Sequence, residues 1–132
     1  EFIPLSIKLE AEISELEQNE KESFLKDLGI NQPALEKLIR TSYNSLGLGT
    51  FFTAGEKEVR SWIIKKGSLA PEAAGVIHTD FQKGFIRAEV ISFEDYIAHE
   101  GDQGAKIAGK LRSEGSDYVV NEGDVILFRF NV

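Results

Sequence analysis

The chain has 132 residues, 42% of them hydrophobic and 28% charged, with a formal net charge of −7 and no cysteine. This composition predicts a folded protein and excludes disulfides and thiolate chemistry. The acidic balance argues against a nucleic-acid contact spread over the whole surface, although a local basic patch is compatible with it.

The first third of the chain has the pattern of helices after a short strand. The opening letters "EFIPLSIKL" are apolar and predict the end of a buried strand, and "KLEAEISELEQ" has apolar residues at helical spacing. Asn19 is the expected N-cap of a second helix that ends at Gly29. Asn31 is the expected N-cap of a third helix, with Pro33 in its first turn and Gly47 as its end.

The pattern changes from helical to strand-like near Leu48, which predicts a boundary between residues 1–47 and residues 48–132. "GTFFTAGEKEVRSWIIKKG" predicts two strands around a turn at residues 54–57, and "APEAAGVI" predicts a short helix that starts at Pro71. "GFIRAEVIS" alternates as a strand, with Arg87 and Glu89 on one face and Ala88 on the other.

The last third of the chain predicts short helical pieces and a hairpin. "FEDYIAHE" and "GAKIAGKLRSEG" are expected to be partly helical, and the second places Lys106 and Lys110 on one helical side. "DYVVNEGDVILFRFNV" predicts a hairpin that turns at residues 121–124. In its final strand, Ile126, Phe128 and Phe130 share a face.

This element order is that of a β-grasp, the ubiquitin-like α+β fold, although the pattern alone leaves other small α+β folds open. The first residue is Glu, and the sequence contains no Met. We therefore expect the chain to be part of a longer protein. It has no stretch with the length of a membrane-spanning helix and no signal-peptide pattern at its start.

The segment "HTDFQKGF" raises a choice between catalysis and structure. His78 and Asp80 could serve a hydrolase together with a serine nucleophile. Thr79 and Asp80 also suit a turn or a helix cap, and we favour this structural interpretation. Lys83 and Gly84 predict a turn in which the glycine has positive φ.

Other enzymatic signatures are missing from the sequence. It contains neither the G-x-x-x-x-G-K-[ST] motif of a P-loop nor G-x-G-x-x-G, so we expect no nucleotide hydrolysis by these residues alone. His78 and His99 lack metal-ligand spacing with each other.

Basic residues and aromatic residues leave a nucleic-acid surface open. Phe52, Trp62, Phe81 and Tyr118 could stack on bases if exposed, but their alternating positions favour burial in the core. The basic residues that could line such a surface are Lys65, Lys66, Lys83, Arg87, Lys106, Lys110, Arg112 and Arg129.

Three long segments resemble one known family. "FFTAGEKEVRSW", "AGVIHTDFQKGFIRAEVISFEDY" and "GAKIAGKLRSEGSDYVVNEGDVILFRFNV" resemble the C-terminal TGS domain of the YchF-type Obg-like ATPases, and residues 1–47 resemble the stretch just upstream. The resemblance implies a β-grasp TGS domain at 48–132, preceded by the terminal strand and helices of a P-loop G domain at 1–47.

The same resemblance implies a longer protein with a G domain, an inserted coiled-coil domain and this TGS domain. Such a protein would bind and hydrolyse ATP or GTP with Mg²⁺ and associate with ribosomes. "PLSIK" occupies the place of the last base-contacting motif of the G domain, which makes Ser6, Ile7 and Lys8 candidate base contacts in the complete protein.

Three functions are therefore compared: a docking and regulatory module of a translation-associated ATPase, an RNA-binding module, and a ubiquitin-like protein-interaction module. The expected partners are the G and coiled-coil domains and the ribosome or RNA, without a membrane. The expected protein is monomeric and cytoplasmic, and this part of it needs no cofactor of its own. The residues proposed for the partner surface are His78, Lys83, Arg87, Lys106, Lys110 and Arg112.

Overall fold

The computed structural model describes residues 2–131. The chain divides into two compact units, Glu1–Leu46 and Gly47–Val132. We describe each unit by itself.

The first unit contains three helices, α1 (Ile7–Glu15), α2 (Gln18–Asp27) and α3 (Ala34–Ser45). The strand expected at the start of the chain is wrong for the described residues, because residues 2–6 have no regular structure and the Ser6 hydroxyl caps α1 by accepting from the Leu9 N–H at 3.4 Å. Ile13 is buried within this unit.

The caps of the next two helices also differ from the prediction. Helix α2 begins one residue before Asn19, because the Glu20 carboxylate accepts from the Glu17 N–H at 3.0 Å and closes the first turn. The N-cap of α3 is Pro33 instead of Asn31. Proline has no side-chain acceptor, and the carboxylate of Glu10 on α1 takes that role, with bonds of 2.8 Å to the Ala34 N–H and 3.3 Å to the Leu35 N–H.

The second unit contains one five-stranded mixed sheet. Its strands are β1 (Leu48–Ala54), β2 (Val59–Lys65), β3 (Phe85–Ile91), β4 (Arg112–Glu114) and β5 (Val125–Phe130), in the order β2-β1-β5-β3-β4. The β1–β2 hairpin was predicted and is confirmed. Strands β1 and β5 run parallel through a single register pair, Phe52 with Val125, and the other neighbouring strands are antiparallel.

Helix α4 (Ala70–Ile77) lies against one face of this sheet. The helix was predicted, and the Glu72 carboxylate caps it by accepting from the Leu69 N–H at 2.8 Å. Its small side chains allow close approach to the sheet. The buried cluster consists of Phe51, Ile64, Ala70, Ala73, Ala74, Ala88, Val90, Val120, Ile126 and Phe128. Ile126 and Phe128 therefore share the core face, as the alternation predicted.

The segment after α4 is helical instead of a simple turn. Helix α5 (Thr79–Lys83) includes Thr79 and Asp80, and the residue before it, His78, is its N-cap. The predicted positive φ at Gly84 is wrong, since this glycine has φ −94°. Glycine is needed here for another reason: a Cβ atom would lie 2.0 Å from the carbonyl oxygen of Asn131.

Two short helices, α6 (Phe93–Ala98) and α7 (Asp102–Ile107), follow β3. The hairpin predicted around residues 121–124 is wrong. Strand β5 pairs with β1 and β3, whereas Val119 makes only an isolated bridge with Leu69. The buried carboxylate of Asp124 instead folds this loop, since it accepts from the Tyr118 hydroxyl at 2.7 Å and the Asn121 N–H at 2.9 Å.

Candidate functional site

Arg87, Glu89 and Arg129 form a connected charged group on the sheet. Ala88 and Val90 point into the core, so the alternating residues Arg87 and Glu89 lie on the opposite face, which we call the outer face. Arg129 of β5 is the register partner of Arg87. Glu89 accepts from Arg129 Nε at 3.2 Å and Nη2 at 3.0 Å, and from Arg87 Nη2 at 3.3 Å.

The hydrogen bond from Arg129 holds the pKa of Glu89 below its ordinary value, against the opposing effect of burial, and Arg87 acts in the same direction. The same bond raises the pKa of Arg129. Both arginine side chains are about half exposed, at 50%, whereas that of Glu89 is 16% exposed. The carboxylate is thus ionised at neutral pH and lies beneath two cations that reach solvent.

Lys106 lies in a cleft next to this group. The cleft has a volume of about 300 Å³ and is bordered by Glu89 and Arg129 of the sheet and by Asp102 and Lys106 of α7. Of the predicted partner-surface residues, Lys106 therefore borders the same cleft as Arg129 and Glu89, and Arg87 is joined to this group through Glu89.

His78 and Lys83 lie elsewhere, at the two ends of α5. Phe81 of this helix stacks on Phe130 with the ring centroids 3.8 Å apart, which places α5 on the core side of the sheet. The Asp80 N–H donates to His78 Nδ1 at 3.2 Å. The His78 side chain therefore caps the first turn of α5.

Lys110 and Arg112 are held by carboxylates. The prediction that Lys106 and Lys110 share one helical side is wrong, because α7 ends at Ile107 and Lys110 lies beyond it. Lys110 pairs with Asp95 at 3.4 Å. The Ser92 hydroxyl, followed by Lys110, keeps the pKa of Asp95 below its ordinary value. Arg112 lies 3.2 Å from Glu114 and 3.7 Å from Asp124.

Arg112 belongs to a structural network around Tyr118. The Tyr118 hydroxyl donates to Asp124 and accepts from Arg112 Nη2 at 3.1 Å and from Asn121 Nδ2 at 3.0 Å. Burial, and then the bond to Asp124, raise the pKa of Tyr118. Burial alone would lower the pKa of Arg112, but the bond to Tyr118 and the nearby carboxylates raise it on balance. These contacts fix the loop before β5.

The aromatic residues considered as stacking platforms are used in packing. Trp62 donates from Nε1 to Thr53 Oγ1 at 2.9 Å and carries the Arg60 guanidinium 4.2 Å above its ring. Phe52 faces Phe93 with the centroids 6.0 Å apart. A base that stacked on either ring would have to displace these neighbours.

Ser6, Ile7 and Lys8 lie at the start of α1. A cleft of about 440 Å³ in the first unit is lined by Ser6, Leu9, Glu10 and Ile13, among others. Ile7 and Lys8 are exposed on the first helical turn and are outside the lining of this cleft. Whether these three residues contact a base stays a prediction.

Arg129 is one of the basic residues noted in the sequence and Glu89 is a predicted strand residue, but neither belongs to the predicted partner surface. The local signal was present, because Arg87 alternates with Ala88 and Arg129 alternates with Phe128 and Phe130. The register between β3 and β5, which makes the two arginines partners, is not encoded in either strand's own pattern.

Within residues 2–131, three or more His, Asp or Glu side chains nowhere gather in an arrangement that could hold a metal ion. Over the same described range, every helix is too short or too polar to cross a bilayer.

Fold and surface together describe a mixed α+β domain that carries a charged outer face, following a helical unit. The model of the family YchF-GTPase_C, with the description "Protein of unknown function (DUF933)", matches residues 48–131. The chain belongs to this family, that of the C-terminal domain of YchF proteins, as the resemblance predicted.

Relatives agree over nearly the whole chain. "Ribosome-binding ATPase YchF" of Bacillus subtilis is 58% identical over 132 residues, which is 100% of this chain and 36% of the relative. "Obg-like ATPase 1" of Pongo abelii is 47% identical over 129 residues, 98% of this chain and 32% of the relative. The solved Schizosaccharomyces pombe YchF GTPase matches with a TM-score of 0.83 and 39% identity, over 97% of this chain and 34% of that one. The chain therefore spans about a third of the length of these relatives.

Proposed function

We propose that the chain is the C-terminal docking and regulatory region of a ribosome-associated P-loop protein that binds and hydrolyses ATP or GTP. The observation that carries this proposal is the 58% identity, over the whole chain, to a relative named as a ribosome-binding ATPase. The G domain and coiled-coil domain of the complete protein would be its intramolecular partners, and its place of action would be the cytoplasm.

We propose further that the second unit is a TGS domain with the β-grasp fold. Three features support this assignment: an N-terminal β1–β2 hairpin, a helix α4 packed across one face, and a parallel pairing of β1 with the late strand β5. In this arrangement α4 covers the core face, while Arg87 and Arg129 on the outer face of β3 and β5 stay about half exposed and accessible for docking.

Nucleotide chemistry would belong to the complete protein. The residues described here supply no carboxylate cluster for Mg²⁺, and the Ser6 hydroxyl caps α1. Ser6, Ile7 and Lys8 would therefore at most contact the base, while the triphosphate and Mg²⁺ would be held by a P-loop elsewhere. We expect the 132-residue chain alone to show no ATP or GTP hydrolysis above a buffer blank.

Phosphate release from ATP measures this expectation, and isothermal titration of the chain with ATP measures binding separately. Turnover by the isolated 132-residue chain, or micromolar affinity for ATP, would contradict the assignment of the chemistry to another domain.

The docking surface that we propose is the outer face with Arg87, Arg129 and Lys106. It is a local cation group on an acidic chain, which is what an RNA contact of limited size requires. His78 and Lys83 at α5 form a second, separate contact of the same kind. Lys110 and Arg112 contribute less, because Asp95, Glu114 and Asp124 already pair with them.

Co-sedimentation of the complete protein with ribosomes over increasing salt tests this surface. We expect R87Q/R129Q to bind more weakly and with a shallower salt dependence than K37Q/K57Q, which also removes two positive charges, one on the exposed side of α3 and one in the β1–β2 turn. H78A/K83A should also weaken association while the far-UV circular dichroism stays unchanged. Ribosome binding by R87Q/R129Q equal to that of K37Q/K57Q would rule out the outer face as the docking surface.

A ubiquitin-like protein-interaction module is the second candidate. Val59, Ile63 and Leu127 alternate with core residues and are exposed on the outer face, at 72%, 48% and 49%. An apolar contact through them would be largely insensitive to salt, in contrast to a phosphate contact. The same salt series therefore separates the two candidates.

A further inference from the structure

Arg87 and Arg129 are opposed across the β3–β5 ladder. Like charges directly opposite one another destabilise a pair of strands unless a counter-charge lies between them. Glu89 provides that counter-charge, because its two carboxylate oxygens accept three hydrogen bonds from the two guanidiniums, at 3.0 to 3.3 Å. The group as a whole keeps a charge of +1.

The N–H donors that hold the Glu89 carboxylate are ones that can also hold a phosphate. Guanidinium groups bind carboxylate and phosphate through the same planar set of N–H donors. Each guanidinium has five such donors, and the bonds to Glu89 use the Nε and Nη2 atoms of Arg129 and the Nη2 atom of Arg87. Both arginine side chains reach solvent, so an anion can approach from outside.

We propose that Glu89 is an internal competitor for phosphate at this site: its carboxylate holds Arg87 and Arg129 in the free protein, and an RNA backbone phosphate takes over their donors on docking. The choice of RNA rests on the proposed function. Glu89 thereby keeps the two arginines ordered in the free protein. Because charged contacts are exchanged on docking, the affinity for RNA should depend on the salt concentration.

The open geometry favours an RNA phosphate over a small anion. A single anion at a half-exposed ion pair gains little in water, because the pair is screened. RNA brings several linked phosphates and releases counterions as each is neutralised. Lys106 in the adjacent cleft can meet a second phosphate, while Asp102 in the same cleft opposes it, so we expect modest and salt-sensitive binding.

The test uses the 132-residue chain and a fluorescently labelled oligouridylate, with anisotropy measured over a series of salt concentrations. E89Q is compared with E58Q, which makes the same charge change in the exposed β1–β2 turn. We expect E89Q to bind RNA about 2- to 5-fold more tightly than E58Q, the ratio that corresponds to loss of an exposed ion pair. R87Q and R129Q should each lower the slope of log K against log salt by about 0.7, and the control K57Q should leave it nearly unchanged.

Two results would overturn the proposal. One is equal RNA affinity of E89Q and E58Q, which would make Glu89 a purely structural counter-ion. The other is displacement of the RNA by inorganic phosphate beyond the effect of chloride at equal ionic strength, which would make the site one for small anions. Should circular dichroism show that E89Q does not fold, E89D replaces it: its shorter side chain loosens both arginines at unchanged net charge, and binding no tighter than wild type would count against the proposal.

The outcome is separable from that of the proposed function. If the complete protein fails to sediment with ribosomes while E89Q still strengthens binding to the oligouridylate, ribosome docking fails and the competitor role stands. If ribosomes bind the R87Q/R129Q protein as well as wild type, docking occurs through another surface and the competitor role of Glu89 in docking is lost.

Discussion

At the start of β3, one glycine sets how closely two backbone segments approach. The Asn131 N–H donates to the Gly84 carbonyl at 2.8 Å, and the Gly84 Cα lies so near Asn131 that a side chain would collide with its carbonyl oxygen. This bond joins the residue before β3 to the residue after β5. The need for glycine is therefore steric and long-range, which is why local sequence suggested a positive φ instead.

We expect G84A to lower the free energy of unfolding of the second unit by about 2–3 kcal/mol, because the neighbour that must move is backbone and not a flexible side chain. The control is G55A, where the nearest atom to the added Cβ is 3.8 Å away and the expected change is within about 0.5 kcal/mol. Urea unfolding followed by Trp62 fluorescence measures both. Equal stability of the two variants would contradict the steric explanation.

The lowered pKa of Glu89, also a single residue, leads us to expect that the stability of the fold depends on pH. Its folded-state pKa lies below the ordinary value of 4.5, so it binds a proton less readily in the folded chain than in the unfolded one. Its contribution to stability is therefore fully present above pH 4.5 and is lost as the pH falls through the lowered pKa. The groups that face it are Arg87 and Arg129, with Asp102 and Lys106 in the adjacent cleft.

The measurement is the free energy of unfolding of wild type and E89Q from neutral to acid pH. We expect wild type to be the more stable at neutral pH and the difference to shrink as the solution is acidified below pH 4.5. E58Q, measured in parallel, corrects for the general effect of removing one negative charge. A difference that stayed constant through the acid range would show that the ion pairs of Glu89 do not stabilise the fold.

At the scale of elements, the sequence pattern within a strand correctly predicted which of its side chains are buried. The alternation in "VILFRF" correctly placed Ile126 and Phe128 in the core, since a strand with one buried face requires a period of two. The same reasoning failed for the caps at Asn19 and Asn31, because the acceptors that begin these helices are carboxylates of other residues. It failed for the last hairpin because residues 121–124 have the composition of an exposed turn, whereas Asp124 is buried and accepts hydrogen bonds within the loop.

The contact of Glu10 with α3 carries a prediction about that helix. A carboxylate from α1 satisfies two N–H groups and offsets the positive end of the helix, as a side chain at the N-cap usually does. We expect E10A to destabilise α3 by about 1 kcal/mol and to reduce its helicity. Thermal melts followed at 222 nm, with E12A from the exposed face of α1 as control, measure the effect. A melt of E10A that matched the melt of E12A would show that the cap is dispensable.

At the scale of the whole molecule, the resemblance to YchF proteins predicted more than periodicity could. Its long segments identified the family, which the match over residues 48–131 shows, whereas pattern alone left several α+β folds open. Neither the family resemblance nor the sequence periodicity predicted the charged group of Arg87, Glu89 and Arg129 on the outer face. Arg87 meets Arg129 only because β5 inserts next to β3, and Lys106 borders the same cleft as Arg129 only because α7 lies beside the sheet.

The order of the strands has a consequence for synthesis. Strand β5 lies in the middle of the sheet, yet it is the last of the five strands to be translated. Until it emerges, the β1–β2 hairpin and the antiparallel β3–β4 pair are separate, and isolated two-stranded pairs are at best marginally stable. The sheet can therefore close only when β5 has left the exit tunnel, and Arg129 joins Arg87 at the same moment. The group of Arg87, Glu89 and Arg129 is therefore completed in the last step of sheet assembly.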